Sequence, residues 1–157
     1  MSSRSSQRMR LVFDAEANGL LIPATKIWCI VAIDYDTRER YEFRPTEIVE
    51  GLDFLGEADC LIGHNICGYD LPLFGKLHPS FSFSGEIRDT FIISNLTNPD
   101  RPGGHSIESY GEEFGREKPE HEDWSRFSPE MLHRCVEDTE INVMAAEKLL
   151  PLLEEEY

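Results

Sequence analysis

The sequence Met9-Arg-Leu-Val-Phe-Asp14-Ala-Glu16 joins an apolar run to two carboxylates one residue apart. Leu, Val and Phe in series are typical of a strand that is buried on both faces. Because side chains alternate between the faces of a strand, Asp14 and Glu16 point to the same side. Two such carboxylates repel each other and lose solvation unless a cation such as Mg²⁺ or Mn²⁺ lies between them. The stretch therefore indicates either a metal site or a strand that runs into an acidic turn.

The composition describes one folded domain. The chain has 157 residues, of which 40% are hydrophobic, and this is enough for a sizeable core. Its apolar runs fall short of the ~18 residues that a membrane-spanning helix needs. Residues 1–8 are polar and lack the apolar region of a signal peptide. We therefore predict a cytoplasmic domain at 9–153, preceded by a flexible tail at 1–8 and followed by an acidic end at 154–157.

The charge of the chain restricts its partners. The net charge is −15, and residues 112–157 contain 14 acidic residues against 5 Lys or Arg. Tight, sequence-independent binding of nucleic acid needs clustered Lys and Arg, and the sequence contains no such cluster. A polyanionic substrate would therefore require metal ions that offset the charge of the site, a partner that supplies the binding surface, or a short substrate.

Apolar stretches and turn residues predict the element order β-β-β-α-β-α-β-α-α-α. The second and third strands, 27–33 and 40–43, continue from the first as an antiparallel hairpin. The fourth and fifth strands, 60–63 and 84–88, follow helical crossovers. This order predicts an α/β fold, a mixed five-stranded sheet with helices on both faces.

Three further acidic residues follow or flank apolar elements. Asp70 begins a helix after the fourth strand, where an acid also interacts favourably with the helix dipole. Asp89 follows the fifth strand, and we interpret it as a helix N-cap. Asp138 lies at the margin of the apolar stripe of the last helix. An acid there is either a solvated flank or a ligand that reaches the end of the first strand.

Taken together, three motifs resemble those of the DEDD superfamily of 3′–5′ exonucleases, which includes polymerase proofreading domains, oligoribonuclease and RNase T. They are Asp14-x-Glu16, Asn65-x-x-x-Tyr69-Asp70 and His133-x-x-x-x-Asp138. The order and spacing of the motifs agree with the superfamily over nearly the whole chain. The resemblance implies a ribonuclease H-like fold.

Three other stretches are similar to the exonuclease domain of phage family A DNA polymerases, here without a polymerase domain. They are residues 61–73, 89–91 and 104–115. One position departs from that family, because Arg134 stands where its proofreading domains have Tyr. His133, five residues before Asp138, instead follows the His-type (DEDDh) branch. Because His133 and Asp138 lie ~140° apart on a regular helix, we expect a break near Arg134–Cys135.

The resemblance implies a two-metal phosphodiester hydrolysis. Asp14, Glu16, Asp70 and Asp138 would hold two divalent ions, Mg²⁺ or Mn²⁺, and His133 would be the general base. The loop after the first strand would contact the terminal nucleotide, and Leu20 is either a wedge between bases or a core leucine. The implied substrate-binding residues are Ala17, Asn18, Gly19, Leu20, His64, Asn65, Tyr69 and Phe114.

The expected function is a 3′–5′ exonuclease that releases nucleoside 5′-monophosphates from single-stranded DNA, in a proofreading role beside a separate polymerase. If a phage encodes the chain, its location is the host cytoplasm. The acidic charge favours a second reading, an oligoribonuclease-like enzyme on short RNA. A third alternative is a catalytically idle domain that docks a partner. Retention of all four acidic residues and His133 argues against the third.

Overall fold

A computed structural model of the chain describes residues 8–116 and 120–156. All of the predicted tail except Arg8 lies outside the described residues, as does Tyr157 at the acidic end. None of the helices in the described part of the chain is long and apolar enough to cross a membrane.

A single five-stranded sheet forms the centre of the described chain. Its order is β3-β2-β1-β4-β5, with β1 antiparallel to β2 and parallel to β4. β3 pairs antiparallel with β2, and β5 pairs parallel with β4. The predicted mixed sheet is thus confirmed. The strands are β1 (Arg10–Ala17), β2 (Ile27–Asp34), β3 (Arg40–Phe43), β4 (Cys60–Gly63) and β5 (Glu86–Asp89).

Five α-helices connect or cover these strands in the described residues. A 3₁₀-helix precedes the first of them, and a π-helix, Ile66–Asp70, lies between β4 and the second. The α-helices are α1 (Ile48–Gly56), α2 (Leu71–Leu77), α3 (Thr90–Thr97), α4 (Ile107–Glu113) and α5 (Pro129–Glu156). Asp89 caps α3 by accepting hydrogen bonds from the backbone N–H groups of Phe91 and Ile92, as the sequence predicted.

The two faces of the sheet are buried by different helices. Leu11 and Phe13 of β1 belong to one core cluster with α1 and α2, which includes Leu52. Val12 points to the opposite face and packs in a second cluster with Ile141 of α5. Since side chains alternate along β1, Asp14 and Glu16 share the face of Val12 and so point towards α5.

Helix α5 is continuous, so the predicted break near Arg134–Cys135 is wrong. The helix begins after Ser128, whose Oγ accepts a hydrogen bond from the Met131 N–H at 3.2 Å. Met131, Cys135 and neighbouring apolar residues are buried against β2 along one face of the helix. A regular helix therefore forms its backbone hydrogen bonds and also buries these side chains in the core. Its backbone remains helical as far as Glu156.

Candidate active site

Four carboxylates from three parts of the chain converge at the end of β1. Asp14 and Glu16 lie on the α5 face of the strand. Asp138 comes from α5 and is only 8% exposed, so it belongs to the buried face of that helix. Asp70 ends the π-helix that follows β4, and it is 3% exposed. The three sequence motifs therefore meet in space.

Burying these carboxylates close to one another is electrostatically unfavourable. Burial raises the pKa of Glu16 to about 10, and the charges of Asp14 and Asp138 act in the same direction. Burial also raises the pKa of Asp70 well above its ordinary value, with a further contribution from Asp14. Asp14 is thus close to both Glu16 and Asp70. Without a cation, the folded chain must keep protons on these groups or bury repelling charges.

The donor set fits divalent cations. Oδ2 of Asp70 is buried and has no hydrogen-bond partner in the described part of the chain. An unsatisfied buried carboxylate oxygen is costly, and a hard cation such as Mg²⁺ or Mn²⁺ would satisfy it. The four acidic residues are therefore suited to hold such ions.

A thiol lies beside the acidic pair. One ligand atom each from Asp14, Glu16 and Cys135 falls within 4.8 Å of the others. The Cys135 Sγ–H group donates to the carbonyl oxygen of Asp14 at 3.5 Å, which ties α5 to β1. Burial raises the pKa of this thiol well above its ordinary value. The sequence motifs contain no signal for Cys135, because its role depends on the contact between α5 and β1.

His133 and Arg134 occupy different sides of α5. The side chain of His133 is exposed, whereas Arg134 is half-buried and close enough to Glu16 to lower its pKa. On a continuous helix, Arg134 and Asp138 are one turn apart on the same face, and His133 is rotated away. The described conformation brings Arg134, and not His133, to the carboxylates.

A first pocket, of about 410 Å³, adjoins Glu16. It contains most of the loop residues that the sequence predicted to bind substrate, and Leu20 there is 77% exposed. Leu20 is therefore not a core leucine. Trp124 also lines this pocket, although no sequence motif indicates it. The lining residues are Ala15, Glu16, Ala17, Asn18, Gly19, Leu20, Tyr69 and Trp124.

Asn18 and Tyr69 fix the shape of the loop in this pocket. Asn18 Oδ1 accepts from the N–H groups of Thr25 and Lys26 at 2.9 and 3.1 Å. The Tyr69 hydroxyl donates to the carbonyl of Gly19 at 2.7 Å. Burial and the nearby acids raise the pKa of Tyr69 to about 12, so the hydroxyl keeps its proton and this bond. The amide of Asn18 and the hydroxyl of Tyr69 thus hold the loop that presents Leu20.

A second pocket, of about 300 Å³, is lined by Asp14 and Asp138. Asn65 is exposed there and adopts a left-handed backbone conformation, with φ 60°, which Asn tolerates better than most residues. Its N–H donates to Oδ1 of Asp89 at 2.8 Å. The lining residues are Asp14, His64, Asn65, Phe91, Ser106, Ile107, Asp138 and Asn142.

Two predicted substrate residues have structural contacts. Nε2 of His64 donates to the carbonyl of His105 at 2.5 Å, and Nδ1 lies 2.8 Å from the Thr90 hydroxyl. His64 therefore presents its ring, rather than a free nitrogen, to the second pocket. Phe114 stacks on the buried ring of Tyr110 and is absent from the described linings of both pockets.

Sequence comparison finds phage DNA polymerases. The chain is 29% identical to the DNA-directed DNA polymerase of Escherichia phage T7 and 30% identical to that of Enterobacteria phage T3. Each alignment covers 89% of this chain and 26% of the polymerase. The chain thus spans about a quarter of the length of these relatives. No family model matches the chain.

Structural comparison finds the same fold in polymerases and nucleases. The family B DNA polymerase of the hyperthermophilic archaeon Pyrobaculum calidifontis has a TM-score of 0.72 at 16% identity, covering 94% of this chain and 25% of that one. Brucella melitensis NrnC bound to pGG has a TM-score of 0.70 at 17% identity, covering 96% and 76%. Motifs, relatives and fold together support a DEDD-type 3′–5′ exonuclease domain.

Proposed function

We propose that the chain is a metal-dependent 3′–5′ exonuclease that releases nucleoside 5′-monophosphates from single-stranded DNA. The observation that carries this proposal is the meeting of four carboxylates at the end of β1, with one pocket lined by Glu16 and another lined by Asp14 and Asp138. A phosphodiester group at the carboxylates leaves room for one nucleoside in each pocket. The phage polymerase relatives support DNA as the substrate.

The four carboxylates would hold two divalent cations, Mg²⁺ or Mn²⁺. Asp14 affects the pKa of both Glu16 and Asp70, so we assign it the role of shared ligand. Asp138 completes the set with Glu16. When bound, the cations supply the Lewis acidity that activates water and stabilises the leaving 3′-oxygen. Four carboxylates and two divalent cations sum to zero charge, which lowers the repulsion between the site and a polyanion.

The two pockets give the substrate a direction. The pocket beside Glu16 would take the 3′-terminal nucleoside, with exposed Leu20 against its base and Tyr69 fixing the loop. The pocket beside Asp138 would take the preceding nucleoside, with the ring of Phe91 as an apolar wall. Stacking on apolar and aromatic side chains is tolerant of sequence, as an exonuclease requires.

We propose no general-base role for His133 in the described conformation. Its side chain is exposed on a continuous helix, whereas the carboxylates lie at the buried face. A general base must lie within hydrogen-bond reach of the proton that it accepts, directly or through one water. The proposed mechanism therefore runs without His133.

One observation favours short RNA as a second candidate substrate. The net charge of −15, with no basic cluster in the sequence, is unsuited to tracking a long polyanion. A separate polymerase that supplies the nucleic-acid surface would offset this charge for DNA. Matched DNA and RNA substrates, both long and short, distinguish these alternatives.

The test is a time course on 5′-labelled single-stranded DNA and RNA 20-mers, with Mg²⁺, Mn²⁺ or EDTA. We expect a metal-dependent ladder that shortens from the 3′ end and is lost in Asp14→Ala and Asp138→Asn. Glu137→Gln is the matched control, because it makes the same charge change one residue away and, among the described residues, weakens the 2.8 Å ion pair with Arg116. Glu137→Gln should retain the ladder.

Two results would contradict the proposal. Absence of any ladder with either metal would leave a domain that docks a partner without catalysis. A ladder of equal rate in Asp14→Ala would show a contaminating nuclease. Faster hydrolysis of RNA than of DNA would support the exonuclease activity but show that RNA is the preferred substrate.

A further inference from the structure

One face of α5 carries three polar side chains towards the active site. Arg134, Asp138 and Asn142 are spaced four residues apart on a continuous helix, so they lie one turn above another. Asn142 donates to the Thr90 hydroxyl at 3.0 Å and fixes the helix against α3. Asp138 belongs to the carboxylate cluster. Asn142 and Asp138 thus have identified contacts on this face, and Arg134 lies one turn before Asp138.

The position of Arg134 is determined by Trp124. The guanidinium carbon lies 5.2 Å from the centre of the Trp124 ring, within the range of a cation–π contact. Trp124 is itself anchored, since its carbonyl accepts a hydrogen bond from the indole N–H of Trp28 at 2.9 Å. Trp28 lies on β2, so the aromatic ring and the cation are tied to the central sheet.

Trp124 also connects Arg134 to the nucleoside pocket. Its ring lines the pocket that holds Glu16, Leu20 and Tyr69. The guanidinium of Arg134 lies against the Trp124 ring and is close enough to Glu16 for its charge to lower the pKa of that carboxyl. Trp124 and Glu16 both line the pocket, so a ligand that fills it and reaches the carboxylates comes near this cation.

We infer that Arg134, oriented by the Trp124 ring, binds the phosphate of the 3′-terminal nucleotide. A guanidinium group presents a planar set of donors that matches two phosphate oxygens, and it also stacks on aromatic rings. The inference rests on the proposed function, since it names the residue that positions the substrate of the same site. In this role Arg134 binds substrate, and Trp124 is a positioning residue.

An alternative role for Arg134 is purely structural, as a counter-charge for Glu16. The two roles predict different ligand discrimination. A counter-charge stabilises the folded protein but does not distinguish thymidine 5′-monophosphate from thymidine. A phosphate-binding residue does distinguish them, because the two ligands differ only in the phosphate.

The experiment measures binding of thymidine 5′-monophosphate and of thymidine by calorimetry in the presence of Ca²⁺. We expect Arg134→Met to lower the affinity for the monophosphate by about 10- to 100-fold, because a charge-assisted contact is lost. The affinity for thymidine should be unchanged. Arg134→Lys should recover part of the affinity. Arg126→Met is the matched control, because it removes the same charge from an exposed side chain paired with Asp123.

Trp124 is tested in the same assay. Trp124→Phe retains a ring beneath the guanidinium and should bind both ligands within a few-fold of wild type. Trp124→Ala removes the ring and should lower the affinity for the monophosphate more than the affinity for thymidine. A melting curve for each variant establishes that the variant is folded.

Unchanged binding of the monophosphate by folded Arg134→Met would overturn the inference, and so would absence of monophosphate binding by wild type. If wild type degrades DNA while Arg134→Met has wild-type kcat, KM and ligand affinity, the exonuclease stands and the inference fails. If wild type degrades neither DNA nor RNA but binds the monophosphate through Arg134, the proposed function fails and only the phosphate contact of Arg134 remains.

Discussion

The acidic residues of this chain occupy two kinds of environment. Glu113, at the end of α4, pairs with Arg101 at 3.0 Å and Lys148 at 2.6 Å, and these partners lower its pKa. Glu16 and Asp70 at the end of β1 are buried next to other acids, and their pKa values are raised. The chain thus supplies cations for Glu113, whereas the acids at the end of β1 depend on external ones.

The paired surface acids and the buried acids contribute differently to the stability and the function of the protein. Surface ion pairs contribute little to folding, about 0.2–1 kcal/mol each. The buried acids oppose folding in the absence of metal, so their presence is explained by what they bind. The predictions below use one region as the control for the other.

Asp70→Asn should have the largest effect. Removing this ligand should lower kcat by about three orders of magnitude, because metal binding supplies several kcal/mol of transition-state stabilisation. The same change removes a buried charge, so the melting temperature of the metal-free protein should rise by several degrees. Exonuclease rates and melting curves in EDTA check both effects.

Glu113→Gln is the comparison for Asp70→Asn. We expect nearly wild-type activity and a loss of stability of about 1–3 kcal/mol, because the exposed pair with Lys148 is weakened and Arg101, whose side chain is 7% exposed, loses its carboxylate partner. A loss of activity in Glu113→Gln equal to that in Asp70→Asn would show that the two acidic regions do not differ in their role in catalysis.

The metal-free protein should become less stable as the pH rises. An unfolded Glu ionises near its ordinary pKa of 4.5, whereas folded Glu16 retains its proton up to about 10. The unfolded state therefore binds fewer protons between these values, and stability falls with rising pH in that window. Below about pH 4.5 this contribution disappears.

Mn²⁺ should oppose this fall, since the ion competes with protons for the carboxylates. Melting temperatures in EDTA and in Mn²⁺ between pH 5 and 9 measure the difference. Glu16→Gln should flatten the EDTA curve. A wild-type curve with the same slope as that of Glu16→Gln would contradict the assignment.

Leu20→Ala should raise the KM for single-stranded DNA by about tenfold and leave the melting temperature unchanged. Leu20 is 77% exposed, so it contributes little to the core, while it lines the nucleoside pocket. Ile22→Ala is the matched control, because Ile22 is 89% exposed in the same loop but is not among the described lining residues. Equal KM effects in both variants would remove the specific role of Leu20.

His133→Ala should have the smallest effect, with kcat within about twofold of wild type. Its side chain lies on the exposed face of α5, away from the carboxylates. Rates across pH 6–9 provide the measurement. A loss of a hundredfold or more would restore His133 as general base and require a change in α5 during catalysis.

The sequence was sufficient to predict the sheet and the four acidic residues. The alternation of side chains between the faces of β1 and the order of strands and helices follow from local sequence patterns. The motifs identify four acidic residues, Asp14, Glu16, Asp70 and Asp138. Their assembly follows once β1, β4 and α5 are neighbours. The confirmed mixed sheet and the burial of Leu11, Val12 and Phe13 in β1 show that these local patterns and the tertiary packing agree.

The parts of the site that escaped prediction depend on tertiary contacts. The expected break in α5 assumed that His133 must reach the metal site, but burial of Met131 and Cys135 keeps the helix regular. Cys135 and Trp124 enter the site through contacts with β1 and β2 that no sequence spacing encodes. Phe114 matched a motif, yet its ring packs on Tyr110.

The most direct test of the central claim is a titration of Mn²⁺ into the metal-free protein at pH 7.5, followed by electron paramagnetic resonance. Wild type should bind two ions per chain, Asp70→Asn should bind one, and Glu113→Gln should bind two. Absence of saturable binding in wild type, or the same stoichiometry in Asp70→Asn, would contradict the claim that these carboxylates form a two-metal site.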